Sequence, residues 1–161
     1  MSVEFSADEV FGMAEQIERN GARFYRKAAE TAEGEARAIL LKFSAMEDQH
    51  EKTFQAMRAE LPEIARQPMV FDPDNEIGVY LNAMADGYVF DVREDPVGAL
   101  KGTESVQDLF RMALGREKES VVFYEGLKQM VPGDAGQDKI DRIIKEELGH
   151  IGILSRELAR Y

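Results

Sequence analysis

Apolar residues recur every three to four positions in two separate parts of the chain, which is the spacing of one face of an α-helix. In the first part the pattern begins after Ser6 and is interrupted near Thr31–Gly34. It predicts helix A at about 7–31 and helix B at about 35–60. Ser6 followed by Glu9 is a capping box, because the hydroxyl can accept from an exposed helix amide while the carboxylate reaches back.

The second part of the chain repeats this arrangement. The apolar pattern predicts helix C at about 103–131 and helix D at about 135–159, separated by the sequence VPGD. Asp134 can cap helix D, with Gln137 three residues later. Each helix has about 25 residues and a length of about 37 Å at 1.5 Å per residue. Two antiparallel hairpins of this length predict an all-α fold, a four-helix bundle within a single domain, 1–161.

The connection at 61–102 differs from both parts. It holds four of the five prolines, and it includes the apolar sequence EIGVYLNAMADGYVF, which predicts a short helix at about 75–87. Because a long connection with apolar groups of its own must bury them, we expect it to pack on the bundle or on a partner subunit. Its candidate apolar contacts for assembly are Phe71, Tyr80, Leu81, Tyr88 and Phe90.

The two hairpins are copies of one pattern. Helix A reads AEQIERNGARFY and helix C reads ALGREKESVVFY, so that Glu18 corresponds to Glu117 and Tyr25 to Tyr124, each at an offset of 99 residues. The bundle therefore consists of two pseudo-symmetric hairpins joined by a long crossover connection.

Helices B and D carry the chain's only two histidines, each three residues after a glutamate. Glu47 precedes His50 and Glu147 precedes His150, at an offset of 100 residues. Residues three apart lie on the same side of a helix, so that each pair can bind one point. With the glutamates of helices A and C, the bundle interior would hold four carboxylates and two imidazoles, from Glu18, Glu47, His50, Glu117, Glu147 and His150.

Charge balance favours metal ions at this place. Four buried carboxylates without counter-charge would be costly to ionise, whereas two divalent cations would neutralise them. Bridging carboxylates hold two ions about 3.5–4 Å apart in two-metal sites. Mixed Glu and His ligation suits iron or manganese better than magnesium or a closed zinc site.

Each feature also has a simpler interpretation. A single Glu-x-x-His on a charged helix is usually fortuitous, and Tyr25 and Tyr124 fit core packing as well as hydrogen bonding to a ligand carboxylate across the bundle. The charged clusters REKE and EDQHEK fit a partly solvated face, and the eight methionines fit core filling. The neighbouring acidic residues are not counted among the direct ligands: Asp48, Glu51, Glu119 and Glu146. The doubled motif with matched spacing is what favours a dinuclear site.

Composition removes several other function classes. The chain has 161 residues, of which 44% are hydrophobic and 32% charged, and its net charge of −11 argues against nucleic acid or an anionic membrane as partner. It has no cysteine, which excludes disulfides, zinc–thiolate sites and iron–sulfur clusters. We see no signal peptide and no membrane-spanning run, so that a cytoplasmic location is expected.

The motif set resembles the rubrerythrin family of the ferritin-like superfamily. The resemblance rests on Glu18 with Phe-Tyr at 24–25, on Glu117 with Phe-Tyr at 123–124, and on the two Glu-x-x-His motifs. It covers all four long helices. It implies two iron ions, with manganese as the alternative, bound by the six residues above. Glu47 and Glu147 would bridge the ions, and each ion would have one terminal His and one terminal Glu. It further implies oxidation of ferrous iron by dioxygen or reduction of hydrogen peroxide, in a homodimer or larger homo-oligomer.

Two departures from the family pattern qualify the expected chemistry. Without cysteine the chain has no rubredoxin domain, so that reductive turnover needs a separate electron donor. The family's additional glutamate in helix C is replaced by Ser120, and its repeat counterpart is Gly21. These departures favour a ferroxidase-like site. A non-catalytic iron-binding, storage or compartment-cargo protein and a metal-free scaffold are the alternatives.

Overall fold

The structure, a computed structural model, describes residues 5–67, 76–85, 95–131 and 136–161. Within these ranges all the regular elements are helices: α1 (Ala7–Thr31), α2 (Gly34–Ala59), a 3₁₀ helix (Glu63–Arg66), α3 (Glu76–Ala85), α4 (Val106–Met130) and α5 (Gln137–Leu158). The four long helices are α1, α2, α4 and α5. They correspond to the predicted helices A to D, and α3 lies within the short helix predicted in the connection.

The first hairpin begins with the predicted cap. The Ser6 hydroxyl accepts from the backbone amide of Glu9, and the Glu9 carboxylate accepts from the amide of Ser6, which confirms the capping box. Gly34 opens α2 with a φ of +56°, a left-handed conformation that favours glycine. Since only two residues join the helices, α1 and α2 pack antiparallel, and Arg58 near the end of α2 binds Asp8 at the start of α1.

The second hairpin begins later than the sequence suggested. Helix α4 starts at Val106, three residues after the predicted Thr103, because Ser105 caps it together with Asp108. Helix α5 starts at Gln137 after Gly136, whose φ is +114°. The Gln137 side chain donates to the backbone oxygens of Lys128 and Val131 and so binds the end of α4. Asp134, the predicted cap of this helix, lies outside the described residues.

The interior has two apolar clusters, one towards each end of the bundle. The first cluster includes Phe11, Phe54, Leu127 and Ile140. The second includes Phe24, Phe43, Phe110 and Leu154. On every long helix, the residues between these clusters face the middle of the bundle, and this is where the six predicted Glu and His side chains lie.

The connection contributes to the first cluster. Leu81 of α3 is 3% exposed, and half-buried Tyr80 packs against the same cluster, so that this part of the connection lies on the bundle itself. The other apolar residues suggested for assembly, Phe71, Tyr88 and Phe90, lie outside the described residues. In the described ranges, the helices fall short of the length and apolar content that a bilayer crossing requires.

Candidate metal centre

All six Glu and His residues singled out by the repeat meet in the middle of the bundle. Helices α1 and α4 each supply one glutamate, and α2 and α5 each supply one Glu-x-x-His pair. Every one of these side chains is at most 5% exposed: Glu18, Glu47, His50, Glu117, Glu147 and His150. The pairs face inward because each begins on the stripe of its helix that also carries core residues, such as Phe43 and Phe54 on α2.

The six residues form two overlapping groups of potential metal ligands. Within each group of four, one ligand atom per residue lies within 4.8 Å of all the others. The first group consists of Glu18, Glu47, His50 and Glu147, and the second consists of Glu47, Glu117, Glu147 and His150. The groups share Glu47 and Glu147, so that these two carboxylates lie between two candidate ion positions.

Glu147 is the central residue of this arrangement. Its Oε1 lies 2.8 Å from Nδ1 of His50, and its Oε2 lies 3.0 Å from Nδ1 of His150. Each imidazole also faces a carboxylate of its own group, at 3.4 Å from Nδ1 of His50 to Oε2 of Glu18 and 3.4 Å from Nδ1 of His150 to Oε1 of Glu117. Both histidines therefore direct Nδ1 into the centre and Nε2 outward.

Unsatisfied polar atoms concentrate at the same place. Buried side-chain atoms without a hydrogen-bond partner include both carboxylate oxygens of Glu147, Oε2 of Glu18, Oε1 of Glu47 and Nδ1 of both histidines. The other such atom in the described part of the chain is the hydroxyl of Tyr80. Buried polar atoms are normally paired, and these converge at ligand spacing. Oxygen and imidazole nitrogen are a donor set that suits iron or manganese, so that the residues fit a metal pair.

The electrostatics of the cluster are those of crowded carboxylates. Burial, reinforced by the negative charges of Glu147 and Glu18, raises the pKa of Glu47 well above its ordinary value. Burial and the proximity of Glu147 raise the pKa of Glu117 to about 8. Burial would also raise the pKa of Glu147, but its interactions with Glu117 and with both histidines outweigh burial and hold the pKa below the ordinary value.

The two histidines serve as the cations of the metal-free cluster. Burial lowers the pKa of His50, yet the nearby carboxylates of Glu147 and Glu18 raise it overall to about 11. The pKa of His150 is raised to about 9, where burial is again opposed and outweighed by Glu117 and Glu147. Divalent ions would take over this neutralising role, since they bind neutral imidazole and ionised carboxylate.

Both tyrosines of the repeat contact a glutamate across the bundle. The hydroxyl of Tyr25 donates to Oε1 of Glu117, and the hydroxyl of Tyr124 donates to Oε1 of Glu18. Their rings also pack in the core, Tyr25 edge-on against Phe43 and Tyr124 against Phe54. The two interpretations given for these residues, core packing and hydrogen bonding to a candidate ligand, therefore describe one arrangement. Burial raises the pKa of both phenols, so that each remains a donor.

The outer nitrogens of the histidines have partners that sequence reasoning did not identify. His50 Nε2 lies 2.8 Å from Oε2 of Glu146, and His150 Nε2 lies 3.3 Å from Sδ of Met46. Glu146 was expected outside the set of direct ligands, and Met46 among the core-filling methionines. Glu146 belongs to neither ligand group and is half-exposed, but it also contacts an imidazole. The offset of 100 residues relates positions 46 and 146, and it was the feature of the sequence from which these two contacts could have been predicted.

The positions at which the family pattern has an additional glutamate contribute no carboxylate. Ser120 is buried in α4. At Gly21, an added Cβ would lie 2.8 Å from Oε2 of Glu47, which is closer than such contacts allow. Neighbouring Glu119 lies outside both groups, and burial raises its pKa.

Comparison with known proteins supports the fold. No family model matches the sequence, and no curated protein matches it at a significant level. Among solved structures, the chain is similar to one from Thermotoga maritima described as a "putative ferritin-like diiron-carboxylate protein", with a TM-score of 0.78 and 21% identity over 97% of this chain and 96% of that one. The all-helical, ferritin-like bundle predicted from the sequence is confirmed.

Proposed function

We propose that this chain is a non-haem di-iron oxidoreductase of the rubrerythrin-like type, which oxidises ferrous iron with dioxygen or reduces hydrogen peroxide. The observation that carries the proposal is the pair of overlapping ligand groups that share Glu47 and Glu147. The fold adds support, because the similar solved structure is described as a diiron-carboxylate protein.

In this proposal the two shared carboxylates would serve both ions. Glu47 and Glu147 belong to both groups, whereas His50 and Glu18 complete one group and His150 and Glu117 complete the other. Each group would then offer two shared carboxylates, one carboxylate of its own and one imidazole. Four carboxylates balance the charge of two divalent ions, which explains why the chain buries so many acids together.

Two bound ferrous ions would supply one electron each, so that two electrons and two protons convert hydrogen peroxide into two waters, or dioxygen into hydrogen peroxide. The protein's own contribution is to fix the ligands and keep the site dry. All six side chains are buried between the two apolar clusters, and Tyr25 and Tyr124 hold the terminal carboxylates from the opposite side. The absence of cysteine means that reductive turnover draws electrons from a separate donor.

The chain's departures from the family pattern bear on which oxidant it uses. Ser120 provides no carboxylate in α4, and the space beside Gly21 is filled by Glu47. A six-residue site of this kind favours ferroxidase-type oxidation by dioxygen over the specialised peroxidase chemistry of a site with an additional glutamate.

The test is an anaerobic loading experiment. The metal-free protein is loaded with ferrous iron, excess iron is removed, and the sample is mixed with dioxygen or with hydrogen peroxide under stopped flow while ferric absorbance is recorded. We expect binding of two irons per chain and fast oxidation by at least one oxidant, with both properties lost in Glu47→Ala. Full turnover in Glu47→Ala would overturn the assignment. Tight binding of two irons with no reaction beyond that of free ferrous iron would instead indicate iron storage.

A further inference from the structure

The two candidate imidazole ligands have chemically different partners on the outside. His50 Nε2 lies 2.8 Å from Oε2 of Glu146, a distance at which the ring N–H donates to the carboxylate. His150 Nε2 lies 3.3 Å from the thioether sulfur of Met46, a weak acceptor. The two contacts fix both rings in the same orientation, with Nδ1 towards the carboxylates.

This difference lies at equivalent positions of the internal repeat. Residues 46 and 146 are related by the same offset of 100 as the two Glu-x-x-His motifs, and each directly precedes the motif glutamate. Each therefore contacts the histidine of the opposite hairpin, as the pseudo-symmetry requires. The repeat preserves the ligands but places a carboxylate on one side of the site and a thioether on the other.

A second difference accompanies the first. The ring of His150 stacks on Phe43, with centroids 4.1 Å apart and planes at 22°. The repeat counterpart of Phe43 is Ile143, which has no aromatic ring. His150 is thus held mainly by packing, whereas His50 is held by a charge-assisted hydrogen bond.

The outer partner of an imidazole affects how well the inner nitrogen binds a metal. A carboxylate that accepts from the outer N–H fixes the tautomer and the ring orientation and makes the imidazole a stronger ligand. Loss of such a partner typically costs about 10- to 100-fold in metal affinity. A thioether provides much less of this effect, because it is a weak acceptor.

We infer that the two ligand groups are unequal, that the group containing His50 binds the first divalent ion, and that Glu146 is the positioning residue responsible. The inference rests on the proposed function in so far as the site binds divalent metal. The second ion enters the group containing His150, whose own terminal carboxylate is Glu117. Stepwise loading is the consequence, with the two steps separated by about tenfold or more in affinity.

The test uses Zn²⁺ as a diamagnetic probe and the full chain in its metal-free form. Because the protein has only two histidines, ¹⁵N-histidine labelling gives one pair of ring nitrogens for each site. We expect the Nδ1 resonance of His50 to shift with the first equivalent of Zn²⁺ and that of His150 with the second, and calorimetry to resolve two steps. Simultaneous shifts of both Nδ1 resonances would overturn the inference.

Variants at the two related positions separate hydrogen bonding from general effects. Glu146→Met gives both imidazoles a thioether at the outer nitrogen, and we expect the first step to weaken about tenfold, so that the two affinities become similar. Glu146→Gln retains an oxygen acceptor, so that it should keep part of the difference in affinity between the two steps that Glu146→Met loses. Met46→Gln supplies an acceptor to His150 and should strengthen the second step.

A matched control removes a charge without touching an imidazole. Asp48 lies near the site in sequence, is half-exposed and binds Arg26. Asp48→Asn should leave both steps unchanged, and a loss equal to that of Glu146→Met would overturn the role of Glu146. If neither Zn²⁺ nor ferrous iron binds, the proposed function fails together with the inference, whereas two equal sites overturn the inference alone.

Discussion

The hydroxyl of Tyr124 donates a hydrogen bond to Oε1 of Glu18, which lies on the opposite hairpin. The other oxygen of Glu18 is buried without a hydrogen-bond partner and faces Nδ1 of His50. One oxygen is thus held by the phenol while the other remains available to a metal ion. Tyr25 and Glu117 repeat the contact in the other half of the site.

Removal of the Tyr124 hydroxyl should weaken metal binding while the fold is retained. In Tyr124→Phe the ring still packs against Phe54, but a buried carboxylate oxygen loses its donor, which costs about 1–3 kcal/mol of unfolding free energy. We expect about a tenfold loss of affinity in the group containing Glu18, measured by metal titration. Tyr161→Phe, at an exposed residue, is the control and should change neither property. Unchanged metal affinity in Tyr124→Phe would show that Glu18 is positioned by packing alone.

Local patterns predicted the long helices and the six side chains that the structure brings together in the middle of the bundle. The Ser6–Glu9 capping box depends on residues three apart, and each Glu-x-x-His pair depends on the geometry of one helix turn. The repeat then related the pairs without any knowledge of how the helices pack. Even the late start of α4 could have been read from Ser105 and Asp108, which form the same kind of box as Ser6 and Glu9.

Contacts between helices could not be predicted in the same way. Whether Nδ1 or Nε2 of His50 faces inward depends on the rotamer and on the rotation of α2 against α5, so that the contact with Glu146 appears only in three dimensions. The role of Gly21 depends on a close approach between α1 and α2, and the hydrophobic pattern of a single helix does not predict such an approach. Neither contact could be predicted for the same reason, since each depends on the distance between side chains of different helices.

Metal loading should stabilise the protein strongly. Each ligand group crowds three carboxyl groups together in the metal-free protein. An ion that binds only the folded state adds about 2.7 kcal/mol per site at one hundred times its dissociation constant. For a chain of this size, that corresponds to a rise in Tm of about 5 to 10 °C per site. We expect differential scanning calorimetry to show the rise in Tm with ferrous iron or Mn²⁺ under anaerobic conditions, and a chelator to reverse it.

Glu47→Gln should lose most of this rise in Tm without a lower Tm in the metal-free state. An unchanged rise in Tm would contradict the ligand assignment.

The ion pair between Asp8 and Arg58 should make the first hairpin sensitive to acid. Asp8 accepts from Nη2 and Nε of Arg58 at 2.8 and 3.1 Å, and this hydrogen bonding, against a smaller effect of burial, lowers the pKa of Asp8 below 3.8. A lowered pKa in the folded state adds stability that is present above pH 3.8 and is lost as the pH falls through the folded-state value. Asp8→Asn should therefore cost about 0.5–1 kcal/mol near pH 7 and progressively less below pH 3.8.

Urea unfolding of the metal-free protein between pH 3 and pH 7 would measure this difference, and the absence of metal removes the separate pH dependence of ligand binding. Glu63→Gln is the control, since its side chain is 91% exposed and its contact with Arg66 is 3.7 Å. It should change the unfolding free energy by less than about 0.5 kcal/mol at any pH. A difference between Asp8→Asn and the wild type that stays constant down to pH 3 would contradict the ion-pair explanation.

A methyl group at position 21 should displace the shared carboxylate Glu47. An added Cβ would lie 2.8 Å from Oε2 of Glu47, so that the carboxylate must move, and both ligand groups would be affected because both contain it. Gly115, an exposed glycine within α4, has no heavy atom within 4 Å of an added Cβ and provides the matched control. Gly115→Ala should only stabilise its helix, by about 0.5–1 kcal/mol.

We expect Gly21→Ala to weaken both steps of metal binding about tenfold or more. The helix content of the metal-free protein, measured by circular dichroism, should stay unchanged. Wild-type affinity in Gly21→Ala would show that Glu47 can move without loss of the site, and a selective effect on one step would show that the carboxylate serves one ion only.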